Sequence, residues 1–466
     1  MAKNCHFLKK KKIILVVSLW FFLGIATYAN DAQRVNFSEA VQLALSSNPK
    51  IVASKADIAA ASAEVTETRG NGLPNLNIEM NAARSDNPLN VFSYKLSQGQ
   101  ASFADFGFAQ YTGPGSINTK PTALDSPGYY NNVDTGIVVN IPLFSGGETI
   151  EKVKKTKYLL KAAREGNQAA KSALIYAVLQ SYEGVHATTQ IIRAAKQSCM
   201  AAKAYLKLTN DLYAQSAVIK GDVLFAKSNL RIAKTALKTA IEQRKNALDA
   251  FRIIIGKPES HLLPGKTARL LSTNEKTNNL LKQAFLSNPA LLSLEFKVSA
   301  DKADIGAAKA NNLPKINLQL RHDWNADSFS ISNPSNTAML ALNWKLFSSG
   351  AQSGADKKAV AQYDQSSAAL SDAFNNIRLS VIQAVRAVKV TQMQLESSKR
   401  TVIASREIVK SYQRRYGQGF FTLGQLLDAQ SRLDNARVQT IMNRYHLMLD
   451  QARLLILIHA ANHWNG

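Results

Sequence analysis

Cysteine is nearly absent: among 466 residues only Cys5 and Cys199 carry a thiol. Cys5 lies in an N-terminal stretch with the features of an export signal, so the processed chain has no partner for a disulfide. Beyond that stretch there is no long uninterrupted apolar run, whereas a helix crossing a bilayer needs roughly 20 such residues. Any membrane crossing after export must therefore use strands. Proline is missing between Pro142 and Pro258 and again after Pro334. A proline ring removes a backbone donor and clashes with the preceding turn, so these two windows are free to form continuous helix. Acidic residues are scarce: 57 Lys and Arg face 33 Asp and Glu, a net charge of +24, of which five lysines fall within the first 29 residues, leaving +19. No motif interleaves aromatics with the basic residues, so nucleic acid is not an indicated partner. The excess suits a solvated exterior near anionic lipid headgroups.

What is present begins with Lys3 and Lys9 to Lys12, followed by an apolar run from Ile13 to Ile25, then Thr27 and Ala29 at cleavage spacing. This predicts a signal peptide over residues 1–29. The absence of cysteine at the cleavage site argues against lipid attachment there.

The rest is one unit written twice. Ala44, Leu45, Ser47, Asn48 and Pro49 recur as Ala284, Phe285, Ser287, Asn288 and Pro289, and Leu73-Pro74 recurs as Leu313-Pro314, all at an offset of 240. Further on the offset becomes 203, relating Leu143, Phe144 and Gly147 to Leu346, Phe347 and Gly350, and Tyr213, Leu224, Ala226 and Leu230 to Tyr416, Leu427, Ala429 and Leu433. The change of offset places a 37-residue excess in the first copy, between Pro74 and Phe144. The copies span residues 30–265 and 266–466.

Each proline-free window is rich in Ala, Leu, Lys and Gln, has apolar residues at helical spacing and is interrupted once, at Tyr213 to Asp222 and at Tyr416 to Gln425. Each therefore reads as a helical hairpin, over about 148–255 and 351–460. From Gly147 to Tyr213 a continuous helix extends on the order of 100 Å at 1.5 Å per residue, too long for a globular core and suited to a coiled coil or helical barrel. Four segments alternate polar and apolar residues with the period of a strand: 75–84, 133–143, 315–324 and 337–346. The long segment 85–132 between the first two contains Pro88, Pro114, Pro121 and Pro127 with repeated glycine, which argues against regular helix there. Four strands are too few to close a membrane barrel, so spanning would require several copies.

The Ala44-Leu45-Ser46-Ser47-Asn48-Pro49 stretch, the Leu-Pro before each first strand, Leu143-Phe144-Ser145-Gly146-Gly147 and the Tyr-x-x-Gly at Tyr416 together resemble the TolC family of outer-membrane factors. The resemblance covers essentially the whole processed chain and implies an α+β membrane protein. In such a protein long helical hairpins form a periplasmic barrel, each protomer adds four transmembrane strands, and a homotrimer completes a 12-stranded β-barrel. It implies an outer-membrane channel in contact with lipid, whose helices reach into the periplasm to meet an adaptor protein and an inner-membrane transporter. The function implied is export of small molecules by a tripartite pump. Type I protein secretion is the alternative, and a periplasmic coiled-coil adaptor without a pore is the alternative of another class.

In the family the interrupted hairpins form the periplasmic entrance. The resemblance places Asp222, Tyr416, Gln425 and Asp428 at the gate, and Tyr213, Ser216, Gly221, Leu224, Gly419 and Leu427 on the turns that meet the adaptor. Asp222 is expected to accept a hydrogen bond from Tyr416 or to cap the returning helix. Three-fold symmetry turns Asp428 into a ring of negative potential, weakened because Gln425 stands where a second acid is expected. Ser216 stands opposite Gly419, and Lys227 opposite a glutamine.

Chemistry is not expected. Gly265-Lys266-Thr267 lacks the upstream glycine of a phosphate loop, since Ser260 holds that place. His459 and His463 have metal-ligand spacing without the glutamate that accompanies it in metalloproteases, so no metal, cofactor or catalytic residue is assigned.

Overall fold

The computed structural model describes residues 33–270, 275–459 and 464–465; the leader and His463 lie outside them. In chain order the elements are β1 (Arg34–Val35), α1 (Phe37–Ser47), α2 (Pro49–Gly70), β2 (Asn75–Ser85), α3 (Pro88–Ser97), α4 (Thr122–Asp125), β3 (Tyr130–Phe144), α5 (Glu148–Ala214) and α6 (Lys220–Ile254). There follow β4 (Leu263–Pro264), β5 (Arg269–Leu270), α7 (Thr277–Ser287), α8 (Pro289–Ala310), β6 (Lys315–Ala326), β7 (Pro334–Asn343), α9 (Ala351–Gly417), α10 (Leu423–Leu457) and β8 (Trp464–Asn465). Helices α1, α2, α5 and α6 have 11, 22, 67 and 35 residues, and α7, α8, α9 and α10 have the same four lengths.

The repeated Ser-Asn-Pro motif has a physical purpose in both copies. Asn48 and Asn288 cap α2 and α8 by accepting from the backbone N–H of Lys50 and Ala290, each at 3.0 Å. Pro49 and Pro289 occupy the first turn, where a missing N–H costs nothing. Ser47 donates to the Ile255 carbonyl at 3.1 Å and Ser287 to that of Ile458 at 2.9 Å. The motif thus starts one helix and satisfies the orphan carbonyls at the end of another.

Midway along α5 a belt ties the two copies together. The fully buried ring of Tyr182 packs edge-on against Phe37 at 5.6 Å and Phe251 at 5.7 Å. Its hydroxyl reaches the Lys266 carbonyl at 2.8 Å, and the linker strands β1 and β4 pair in parallel beside it. Glu183, 5% exposed, accepts from the Ala268 backbone N–H at 2.8 Å. Burial pushes this carboxyl up to about 7, against a lesser opposing pull from the Ala268 N–H. A carboxyl raised on folding costs stability as pH climbs from the ordinary glutamate value toward the folded one, and the cost persists above. Glu183→Gln, which keeps the acceptor, is therefore expected to stabilise the protein at pH 8 and to be neutral at pH 4. Thermal melting of both proteins across that range checks it.

Strands β2, β3, β6 and β7 form one antiparallel sheet in that order. The register places Leu76, Ile78, Val139, Ile137, Leu318, Leu320, Leu340 and Leu342 on one face, and Asn75, Asn77, Glu79, Asn140, Gln319 and Arg321 on the other. The apolar face is bare: Ile78 is 75% exposed and Leu340 66%. Among the described residues one edge of β2 and one of β7 have no strand partner, so each leaves a row of backbone donors and acceptors open. The last strand ends at Asn343, three residues short of the alternation in the sequence. Beyond it Trp344 turns its indole N–H to the Asn312 carbonyl at 3.0 Å, which fixes the chain where it enters α9.

The loop between β2 and β3 holds 44 residues (86–129) and that between β6 and β7 holds 7 (327–333), which accounts for the excess in the first copy. Contrary to expectation it contains a regular helix, α3, because Pro88 sits in the first turn and Asn87 accepts from Leu89 N at 3.1 Å. Gln98, 2% exposed, closes α3 against the sheet by donating to Asn132 Oδ1 at 2.8 Å.

Candidate functional site

At the far end of the hairpins the tips of all four long helices meet in one small core. Tyr205 of α5, Ala226 of α6, Tyr416 of α9 and Leu423, Leu426 and Leu427 of α10 are buried together. The two turns between helices are built alike. In the first, Ser216 N–H bonds to Tyr213 O at 2.9 Å and Ala217 N–H to Leu212 O at 2.9 Å. In the second, Gly419 N–H bonds to Tyr416 O and Phe420 N–H to Arg415 O, each at 3.0 Å. This is a Schellman closure, which needs one left-handed residue. Gly419 supplies it at φ 80° without strain, and Ser216 adopts φ 62° at a steric cost on the order of 1 kcal/mol. The Ser216–Gly419 correspondence seen in the sequence is thus the same backbone position held by two residue types.

Tyr416 is 2% exposed, and its hydroxyl lies 2.9 Å from Thr209 Oγ1. The Thr209 hydroxyl donates to the Tyr205 carbonyl at 2.8 Å, so the Tyr416 O–H donates to Thr209. The expected Tyr416–Asp222 hydrogen bond is therefore replaced by one to α5. Burial raises the Tyr416 hydroxyl above its ordinary value, and the negative charge of Asp222 adds to this, so the carboxylate acts on Tyr416 through space. Nor does Asp222 cap α6: the N-cap is Ile219 and Asp222 sits three residues inside. There a carboxylate stabilises the positive end of the helix dipole.

Gln425 proves to be a capping residue. Its Oε1 accepts from Thr422 N–H at 3.0 Å while Thr422 Oγ1 accepts from Gln425 N–H at 3.3 Å. The Thr-x-x-Gln spacing that produces this capping box was visible in the sequence. Asp428 is exposed and paired with Arg432 at 2.9 Å, a fully solvated pair that offsets its charge. Leu427 is buried, whereas Tyr213, Gly221, Leu224 and Gly419 are exposed on the two turns.

Two contributors were missed. Tyr205, 3% exposed, donates to Gln430 Oε1 at 2.9 Å, and Gln430 in turn donates to Asp434 at 2.9 Å. Burial pushes the Tyr205 hydroxyl up to about 12, so it remains a donor at any physiological pH. Thr209 is the other; the i, i+4 spacing of Tyr205 and Thr209 on one face of α5 was the available signal. In the first copy Lys227 occupies the position of Gln430 and is exposed, so this buried bond exists once per chain.

Among the described residues no group of three or more His, Cys, Asp or Glu side chains is placed to hold a metal ion. What joins the helix ends at the tips is the pair of buried hydrogen bonds, Tyr205 to Gln430 and Tyr416 to Thr209.

A model of the outer membrane efflux protein family matches residues 40–257 and 280–458. Protein CyaE of Bordetella pertussis is 24% identical over 353 residues, covering 74% of each chain. Outer membrane efflux protein BepC of Brucella suis is 23% identical over 356 residues, covering 73% of this chain and 75% of its own. The crystal structure of the Campylobacter jejuni CmeC outer membrane channel superposes with a TM-score of 0.75 at 16% identity, over 91% of this chain and 85% of that one. With both copies matched across most of its length, the chain belongs to the outer membrane efflux protein family.

Proposed function

We propose that three copies of this chain form one conduit through which a tripartite pump exports small molecules. The observation that carries this reading is the four-stranded sheet with a bare apolar face, a polar face and two open edges. A sheet in hydrocarbon must close on itself, and twelve strands from three copies do so where four do not. The hairpins then continue the conduit through the periplasm for roughly 100 Å. At their tips the exposed apolar side chains of Ile219, Leu224, Phe225 and Phe420 offer contacts to a periplasmic adaptor, and through it to an inner-membrane transporter. A cell lacking the chain should accumulate an efflux dye, and expression of the chain should restore export. Leu224→Asp should fail to restore it while assembling normally; restoration by that variant would refute docking at the tips.

The buried bond from Tyr416 to Thr209 holds the α9 tip on α5 and so acts as the closing tie. Tyr416→Phe removes a contact contributing about 0.5–1.5 kcal/mol and leaves Thr209 unpaired on one side. Asp222→Ala weakens the first turn of α6. Both variants are expected to raise single-channel conductance in planar bilayers, Tyr416→Phe the more. Unchanged conductance in both would remove the tips from gating.

A further inference from the structure

One level of the polar sheet face differs from the rest. That face presents mainly amides, among them Asn75, Asn77, Asn81, Asn140, Gln319 and Asn325. In its midst the register sets Glu79 beside Gly136 and Gly136 beside Asp323, with Asp134 and Arg321 one step away on either side. Arg321 lies at the centre: Nη1 meets Glu79 Oε2 at 2.7 Å, Nη2 meets Asp134 Oδ2 at 2.7 Å, and Nε lies against Asp323 Oδ1. Gly136 makes the arrangement possible, since a Cβ there would come within 2.7 Å of Asp323 Oδ1 and 2.9 Å of Arg321 Nη2.

The charges do not balance. One guanidinium meets three carboxylates, so each chain keeps two excess negative charges at this level although its overall balance is strongly positive. Asp323 is 8% exposed and its Oδ1 is paired with the guanidinium Nε, so all three carboxylates of this level draw on the single charge of Arg321. The other charged side chain on this face among the described strand residues, Lys315, sits at the first residue of β6 and is neutralised by Glu148. At the helical tips, by contrast, Asp428 is offset by Arg432 and Gln425 is used as a cap.

We infer that the Arg321-centred quartet is the charge-selective level of the channel, favouring cations over anions inside the strand barrel rather than at the helical tips. The inference rests on the conduit reading above. Three copies place three quartets around one ring, and low-dielectric walls focus the field of their unbalanced carboxylates on the axis. Arg321 holds the carboxylates in fixed positions and prevents full mutual repulsion, while leaving the ring negative. Cationic small molecules pass this level readily, and polyanions are slowed.

The test is the reversal potential of the purified, reconstituted protein in a KCl gradient. The wild type is expected to show a potassium-to-chloride permeability ratio of roughly threefold or more. In Glu79→Gln/Asp134→Asn, where Arg321 and Asp323 remain to balance each other, the ratio is expected to fall to about one. Asp428→Asn should leave it unchanged. A ratio that persists in the double variant, or that is lost in Asp428→Asn, overturns the inference. Should the double variant fail to assemble, Glu79→Gln decides, since its carboxylate is the most exposed of the three and its loss must lower the ratio. A wild type that conducts no ions refutes the conduit reading itself, an outcome distinct from a channel without this selectivity.

Discussion

Ile78→Arg is expected to abolish assembly in the outer membrane, whereas Asn77→Arg, one residue earlier, is expected to preserve it. The two positions are neighbours in sequence and lie on opposite faces of β2. Ile78 is 75% exposed on the apolar face. An arginine facing lipid at mid-depth costs about 2–4 kcal/mol, and a trimer carries that cost in each of its copies, about 6–12 kcal/mol in all. This is comparable with the whole stability of an ordinary domain. An arginine at residue 77 instead enters a wet lumen with the carboxylate of Glu79 two residues along the same face, which accommodates it. Membrane fractionation together with the heat-modifiable mobility of the assembled species separates the outcomes. Equal tolerance of both substitutions would mean that the apolar face does not meet lipid.

The second large effect is expected far from the membrane, in the belt. Phe251 is fully buried and locks the end of α6 against Tyr182 of α5, beside Phe37 of α1. Phe251→Ala removes the ring and leaves a cavity among residues that are themselves anchored, at a cost of about 3–5 kcal/mol. Phe251→Leu retains most of the volume and should cost less than half of that. The measurement is the temperature at which the assembled complex dissociates, with the alanine variant lowest and the leucine variant between it and wild type. Because three separate chain segments converge on Tyr182, loss of this contact should loosen the linker strands as well, visible as faster hydrogen exchange at Ala268.

The largest features were legible for local reasons. A missing proline and a 3.6-residue period suffice to mark a 67-residue helix, and the polar–apolar alternation marks each strand, because both signals are carried by neighbours in sequence. What depends on pairing was not legible. Nothing in the strands themselves states that Glu79 lies opposite Gly136 or Gly136 opposite Asp323, because register is a property of two segments and the turn or helix between them. The partner of Tyr416 was misassigned for a similar reason. Which residue faces it depends on the rotation of one long helix about its neighbour, and that rotation brings Thr209, not Asp222, to the hydroxyl. Two other differences were readable and were passed over. Asn87-Pro88 is the same helix start as Asn48-Pro49 and Asn288-Pro289, and so announced α3 within the loop. Thr422 followed three residues later by Gln425 is a capping box, which explains a glutamine where an acid was expected.

The joint at the tips and the ring in the barrel divide the work between them. Buried hydrogen bonds at the tips join the ends of α5, α9 and α10, and on the proposed gating reading their release opens the conduit. On the inferred selectivity reading, the charge fixed around Arg321 in the strand sheet sets what passes once the conduit is open. Both roles depend on the same condition, that the two unpaired edges of one four-stranded sheet are completed by other copies of the chain. The mass of the intact complex, extracted in mild detergent and measured by native mass spectrometry, tests that condition most directly. Three chains per particle is the expected result, and a stable monomer or dimer that still conducts ions would contradict it.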